Sequence, residues 1–254
     1  GKKTTIGTPQ GGCISPILAN ILLNELDQLL DSRGIKFVRY ADDMVILCGS
    51  KKSAERILGN VTEFLEKRLF LKVNTDKTKI LKASEKAQFL GFGFTTKVSN
   101  RRKMERPTQK YFSIVHAKKR AKLLETIKFV LDRRAPGGLA KVKAELTIKL
   151  RGWVNYFGDA IPTAWRLVTD GHIRRRIRQM HWKQWKTKEN RHKELLKRWH
   201  KSPKLEDYAY ASNRYWRMSQ APEINKALSK SILKKEGWCW LETFEKTMPL
   251  GDMA

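Results

Sequence analysis

The 254-residue chain sets 53 Lys and Arg against 25 Asp and Glu, a formal charge of +28 and a pI of about 10.2, so its leading partner is a polyanion, nucleic acid ahead of an anionic membrane. Hydrophobic residues at 41% and aromatics at 9% are too many for a disordered basic tail, and no apolar run approaches the roughly 20 residues of a membrane helix. The three cysteines, Cys13, Cys48 and Cys239, lie far apart with no C-x-x-C pair, which argues against a zinc ribbon or a disulfide framework and fits a reducing compartment.

The length suits one large domain or two modest ones, and charge divides it. Residues 1–100 carry 16 basic and 10 acidic side chains, a net of +6, whereas residues 101–254 carry 37 and 15, a net of +22. The chain opens on Gly1 rather than Met, so the lack of a signal peptide carries little weight. A cytoplasmic, nucleic-acid-associated location is expected, with an organellar one left open.

In chain order, residues 1–14 hold four Gly and a Pro, too loose for a regular element. Ser15-Pro16 reads as an N-cap and first helical residue. Ile17, Leu18, Ile21, Leu22, Leu26, Leu29 and Leu30 then recur at helical spacing, and Gly34 is a stop. Residues 35–40 and 44–47 read as two strands joined at Ala41-Asp42-Asp43, a largely buried hairpin. Ser53 caps a second amphipathic helix, with Ala54, Ile57, Leu58, Val61, Phe64, Leu65 and Leu69 on its apolar side. Strand-like residues 71–74 and 78–81 follow around Thr75-Asp76-Lys77. Residues 88–94 form a further strand whose glycines suggest close backbone approach. This order predicts an α+β layer with an antiparallel sheet.

A basic run at residues 99–103 marks a domain boundary. Beyond it the periodicity is helical over residues 118–134, ended by Ala135-Pro136-Gly137-Gly138, then over 139–157 and 172–186, with shorter helices at 190–199 and 222–236. The expected division is 1–100, 101–187 and 188–254. The five histidines show no metal-ligand pattern, and no Cys/His cluster follows the helices.

Two carboxylates at a hairpin tip repel each other, and a hard divalent cation such as Mg2+ makes the pair tolerable. A plain solvated turn is the competing reading of Asp42-Asp43, since turns are rich in Asp.

Four stretches shift that balance by resemblance. Gly7-Thr8-Pro9-Gln10-Gly11-Gly12 with Ser15-Pro16 and Asn20, Tyr40-Ala41-Asp42-Asp43, Asn74-Thr75-Asp76-Lys77-Thr78, and Phe89-Leu90-Gly91-Phe92 resemble, in order and spacing, successive motifs of a reverse transcriptase palm. Leu150-Arg151-Gly152-Trp153-Val154-Asn155-Tyr156-Phe157 resembles the thumb, or maturase domain, of group II intron-encoded reverse transcriptases. So do the stretches Ile173-Arg174-Arg175-Arg176-Ile177-Arg178, Trp182-Lys183-Gln184-Trp185, Tyr215-Trp216-Arg217-Met218 and Ile224-Asn225-Lys226-Ala227-Leu228.

The resemblance implies an antiparallel-sheet palm, without fingers, followed by an all-α thumb and a basic helical extension. It implies an RNA-directed DNA polymerase that joins dNTPs to a primer with two Mg2+ ions held by Asp42 and Asp43, and that binds intron RNA to assist splicing. Pro9, Gln10, Gly11 and Tyr40 would lie along the nascent base pair. Lys77 would sit near the pyrophosphate, unless it is one more surface lysine. Leu90, Gly91 and Phe92 would support the primer end, although Phe92 equally suits a core. RNA would meet Arg151 and the face bearing Arg174, Arg175, Arg178 and Lys183, with Trp153 and Trp185 in the core.

The family's third metal-binding Asp stands upstream of Pro9-Gln10-Gly11, so this chain is expected to be a fragment or half of a split enzyme, inactive alone and partnered by an upstream segment or chain. A non-catalytic RNA-binding splicing factor that keeps the palm as scaffold is the alternative. A generic basic ribosome-associated protein accounts for the charge but not for the ordered motifs.

Overall fold

A computed structural model describes residues 13–84, 87–98, 100–134, 136–199, 203–211 and 215–244. The chain divides into two compact units, Gly1–Thr95 and Thr96–Ala254. The architecture is α+β, with short antiparallel strands early in the chain and helices throughout the rest.

In the first unit, helix α1 (Ser15–Ser32) starts after Ile14 without a side-chain cap and with Pro16 in its first turn. Ser15 is therefore the first helical residue, not the cap. Its end is a Schellman motif. The Ile35 N–H donates to the Leu30 carbonyl (3.0 Å) and the Gly34 N–H to that of Asp31 (2.9 Å), and Gly34 takes the left-handed φ of +65° this geometry needs. That reversal aims the chain into the hairpin of β1 (Phe37–Tyr40) and β2 (Asp43–Ile46), paired antiparallel as Phe37↔Ile46, Val38↔Val45, Arg39↔Met44 and Tyr40↔Asp43.

Of α1's apolar stripe only Leu26 and Leu30 are buried; Ile17, Leu18, Ile21 and Leu22 are exposed. The hairpin is likewise half-covered rather than largely buried. A two-stranded ribbon has two faces, and within this unit Val38 and Tyr40 remain exposed while Phe37 and Arg39 turn inward.

Helix α2 (Lys51–Lys67) is capped by Ser50, whose hydroxyl accepts the Ser53 N–H at 3.2 Å. Ser53 thus donates its backbone N–H to the cap instead of being the cap itself. Residues 71–74 and 78–81, expected as strands, run as irregular backbone around a turn. Asn74 supplies the local alternative: its Oδ1 accepts the Lys77 N–H (3.1 Å), and its carbonyl accepts the Thr78 N–H and hydroxyl. The stretch 88–94 is not one strand either. Phe89 and Phe92 exchange backbone hydrogen bonds of 3.0 and 2.8 Å across a two-residue turn. Leu90 and Gly91 both take positive φ there, +50° and +87°, the signature of a type I′ turn. Strand β3 (Phe92–Thr95) begins only after it.

The second unit opens with α3 (Asn100–Glu105) and strand β4 (Phe112–Val115), then builds its core from three long helices: α4 (Ala117–Val130), α5 (Gly138–Phe157) and α6 (Thr163–Gln184). Leu123, Ile127 and Val130 of α4 are buried with Val142, Leu146, Leu150, Val154 and Phe157 of α5, a near-perfect one-sided stripe worth roughly 1.5–3 kcal/mol per side chain against exposure.

Helix α6 starts nine residues before the expected 172. It buries Thr169, Asp170, Ile173, Ile177, Gln179, Met180, His181 and Trp182, residues spread round its circumference, so it lacks the one-sided pattern that would reveal its length. Helix α7 (Lys188–Arg198), α8 (Leu205–Tyr210) and α9 (Tyr215–Met218) follow. The expected helix 222–236 is two, α10 (Pro222–Ala227) and α11 (Lys230–Lys235), because Ser229 interrupts it as a new N-cap accepting from Ile232 (3.4 Å). Helix α12 (Leu241–Phe244) packs on α5 and α6. Its N-terminal amides, Leu241 N–H (2.8 Å) and Glu242 N–H (3.2 Å), are capped by the buried Asp170 carboxylate.

Candidate functional site

The paired acids sit where the hairpin turns. The loop is two residues, Ala41 and Asp42, and Asp43 is already the first residue of β2. Two-residue hairpin loops need a positive φ at their first position, and Ala41 supplies it at +53°. For an alanine this backbone costs about 1–2 kcal/mol. Tyr40 and Asp43 stand opposite each other, so their side chains share the exposed face. Tyr40 is 66% exposed, and both Asp42 and Asp43 are open to solvent.

What holds this strained turn is Arg39, which composition and periodicity alone did not single out. Its Nε donates to both oxygens of Asp27 on α1 (2.9 and 3.0 Å) and its Nη2 adds a further bond to that carboxylate. Its Nη1 donates to Asn20 Oδ1 (2.8 Å) and to the Ala41 carbonyl (3.0 Å). Hydrogen bonding to Asp27 raises the Arg39 pKa above its ordinary value, so the clamp stays cationic. The guanidinium fork ties helix to loop in a geometry a lysine cannot copy. The signal was present: Asn20 and Asp27 lie two helical turns apart on one face of α1, and strand alternation puts Arg39 on the inward face with Phe37.

Of the other residues singled out in this unit, Pro9, Gln10 and Gly11 lie outside the described residues. Lys77 is exposed in the Asn74–Thr78 turn. Leu90 and Gly91 form the type I′ turn and Phe92 starts β3. The hairpin thus joins Tyr40, Asp42 and Asp43 at one tip, whereas Lys77 and residues 90–92 occupy two separate turns of the same unit. Among the described residues no group of three or more His, Cys, Asp or Glu side chains converges as a metal cage. Asp42 and Asp43 offer two exposed carboxylates, hard oxygen donors suited to a divalent cation that takes its remaining ligands from solvent, substrate or further acids.

The basic residues of the helical unit divide by what they touch. The Arg178 Nε donates to the Leu228 carbonyl at the end of α10 (3.1 Å), and burial pushes its pKa down to about 10. Arg176 does the same for α4, donating to the Lys128 and Leu131 carbonyls (3.1 and 3.3 Å). Arg174 lies 5.5 Å over the Trp240 ring, Arg151 5.8 Å over Phe244 and Arg175 6.0 Å over Trp216. Of these, Arg151 and Arg175 are exposed; Arg174 and Lys183 are half-buried. Trp185 is core, Trp153 is half-covered, and Trp216 is 48% exposed.

At the centre of the unit His181 Nε2 accepts the Trp238 indole N–H (3.1 Å), and burial above all pushes its pKa down to about 3. A neutral imidazole locked against tryptophans reads as framework, and its lone position in the sequence gave no sign of it.

With that geometry in place, comparison with known proteins is direct. The family described as reverse transcriptase (RNA-dependent DNA polymerase) matches residues 1–94, and the group II intron, maturase-specific domain matches residues 120–199. Protein YkfC of Escherichia coli (strain K12) is 34% identical over 119 residues, covering 34% of this chain and 31% of that protein. The group II intron-encoded protein LtrA of Lactococcus lactis subsp. cremoris is 26% identical over 154 residues, covering 35% of this chain and 26% of its own length. The chain therefore spans about a third or less of these relatives. Among its described residues no helix is long and apolar enough to cross a membrane. The chain thus carries a segment that matches the reverse transcriptase family, followed by one that matches the group II intron maturase-specific domain, in the same order as the acid hairpin and the helical core.

Proposed function

We propose that this chain carries the acid-bearing half of an RNA-directed DNA polymerase and the RNA-binding helices of an intron maturase. The observation that carries the reading is the Tyr40-Ala41-Asp42-Asp43 tip, two exposed carboxylates on a strained turn clamped by Arg39. Strain maintained by a dedicated side chain is a mark of functional geometry. Asp42 and Asp43 are the residues that would hold Mg2+. When bound, such ions activate the primer 3′ oxygen and neutralise the departing pyrophosphate. Asp42 would be the principal ligand and Asp43 would support it; Tyr40, on the shared face, would flank the nascent pair. Lys77 offers a charge toward pyrophosphate, and the Leu90-Gly91 turn supports the primer end. A third acid, from an upstream segment of the polypeptide or from a separate chain, completes the set that the family resemblance implies, so polymerisation belongs to that assembly. The exposed apolar residues of α1 offer such a segment a surface to cover.

Intron RNA is the second substrate of this reading, supported by the maturase match over 120–199 and by the net charge of +22 on residues 101–254. The test is primer extension by the protein containing its upstream segment. Asp42→Asn should lower the single-turnover rate by roughly 10³-fold or more while leaving RNA affinity within about twofold. Extension at the normal rate would refute the role of the hairpin. Lost extension with splicing assistance retained would separate the polymerase from the maturase activity.

A further inference from the structure

At the end of the hairpin opposite the acids lies a cleft of about 680 Å³, within the size range of ligand sites. It is walled by the Schellman turn that ends α1, the chain entering β1, the chain leaving β2 and the first turns of α2. The Leu47 N–H donates to the Lys36 carbonyl (2.8 Å) and closes the base of the hairpin behind it.

Its lining is one-signed. Arg33, Lys36 and Arg56 all border it, with Ser53 and Asn60 as neutral polar neighbours, and no Asp or Glu does. Among the described residues none of the three cations has a carboxylate partner: nearby Glu55 pairs with Lys51 (3.5 Å) and Glu25 with Arg68 (3.1 Å). In a chain whose first 100 residues carry a net of only +6, three uncompensated cations around one concavity attract counter-anions, and a cleft focuses that field.

We infer that this cleft is a phosphate-binding site that grips the backbone of a nucleic-acid strand at a point separate from the acid tip of the hairpin. Four strand residues at about 3.3 Å each put it roughly 13 Å from Asp42, too far for its cations to act on the reacting atoms. Arg and Lys contacts of this kind position a strand without reading its bases. The inference rests on the nucleic-acid partner proposed above, but not on polymerase chemistry.

Two measurements on the full chain test it. The first is binding of a uridine-rich single-stranded RNA oligonucleotide across a salt series, for the wild type and for the triple variant Arg33→Gln, Lys36→Gln, Arg56→Gln, with thermal melts confirming equal folding. Loss of three single-strand phosphate contacts should flatten the slope of log affinity against log salt by about 2 and weaken binding by about 10- to 100-fold. The second uses Cys48, an exposed thiol in the lining, in a Cys13→Ser background. The oligonucleotide should slow its alkylation at least fivefold, whereas dNTP or inorganic phosphate at matched ionic strength should not.

An unchanged slope, or a Cys48 left unprotected by RNA, overturns the site. Protection by dNTP or phosphate alone overturns the strand and assigns a free phosphorylated ligand instead. A wild-type chain that binds no RNA removes the proposed function along with this inference.

Discussion

Arg39 is the residue on which the acid tip turns. One side chain satisfies the carboxylate of Asp27, the amide oxygen of Asn20 and the carbonyl of Ala41, and hydrogen bonds to a charged group are each worth about 1.5–3 kcal/mol net. Arg39→Lys keeps the charge and loses the fork. In the protein with its upstream segment it should lower the primer-extension rate about tenfold with little change in the dNTP KM, and Arg39→Met should lose more. A Lys variant with wild-type rate would show that the clamp does not position Asp42. Both the acids and their spacing from the neighbouring motifs were legible in the sequence. The clamp was legible only in its parts, Asn20 and Asp27 on one face of α1 and Arg39 on the inward face of β1, which come together only once α1 has reversed at Gly34.

Among elements, α1, α2, α4 and α5 announced themselves because each sets its apolar residues along one side, a side that α5 buries with Val142, Leu146, Leu150 and Val154. Helix α6 hid its first nine residues because polarity and burial disagree there: Leu167 and Val168 are exposed while Thr169 and Asp170 are buried. The strands expected at 71–74 and 78–81 failed for a different reason: β-prone residues make a strand only when another strand pairs with them, and Asn74 offers its backbone a turn instead.

The buried side of α6 also sets a pH response. His181 titrates near 6.5 when unfolded and is held down to about 3 when folded, by burial and by Arg198 and Lys143, with Glu194 opposing. Below pH 6.5 the unfolded chain therefore takes up a proton that the folded one refuses, and stability falls as pH falls, approaching about 1.4 kcal/mol per pH unit toward pH 5. His116 and His172 are shifted down as well, so the slope is shared. Urea melts between pH 7 and 5 should show a shallower pH dependence for His181→Gln than for wild type; equal slopes would mean that His181 is not locked in its neutral form.

Over the whole molecule, charge states the partner and structure sorts the charges. The excess of 53 Lys and Arg over 25 Asp and Glu pointed to a polyanion from composition alone. Helical periodicity then grouped Arg174, Arg175 and Arg178 as one face, but Arg178 ends α10 while Arg175 stays in the open. The two should separate experimentally. Arg178→Ala should cost about 1–3 kcal/mol of stability by freeing a carbonyl with little change in the salt dependence of RNA binding. Arg175→Ala should leave stability within about 0.5 kcal/mol and flatten that dependence by up to about 1. The opposite pattern would reassign both residues.

The hairpin's hold on a divalent cation has its own direct assay. Fe2+ exchanged for Mg2+, with ascorbate and peroxide, cuts polypeptide beside the bound ion. The chain should break at residues 40–44, the break should fade as Mg2+ is added back, and it should vanish in the double variant Asp42→Asn, Asp43→Asn. Cleavage scattered along the chain, or undiminished at the hairpin in that variant, would mean that Asp42 and Asp43 form an ordinary turn.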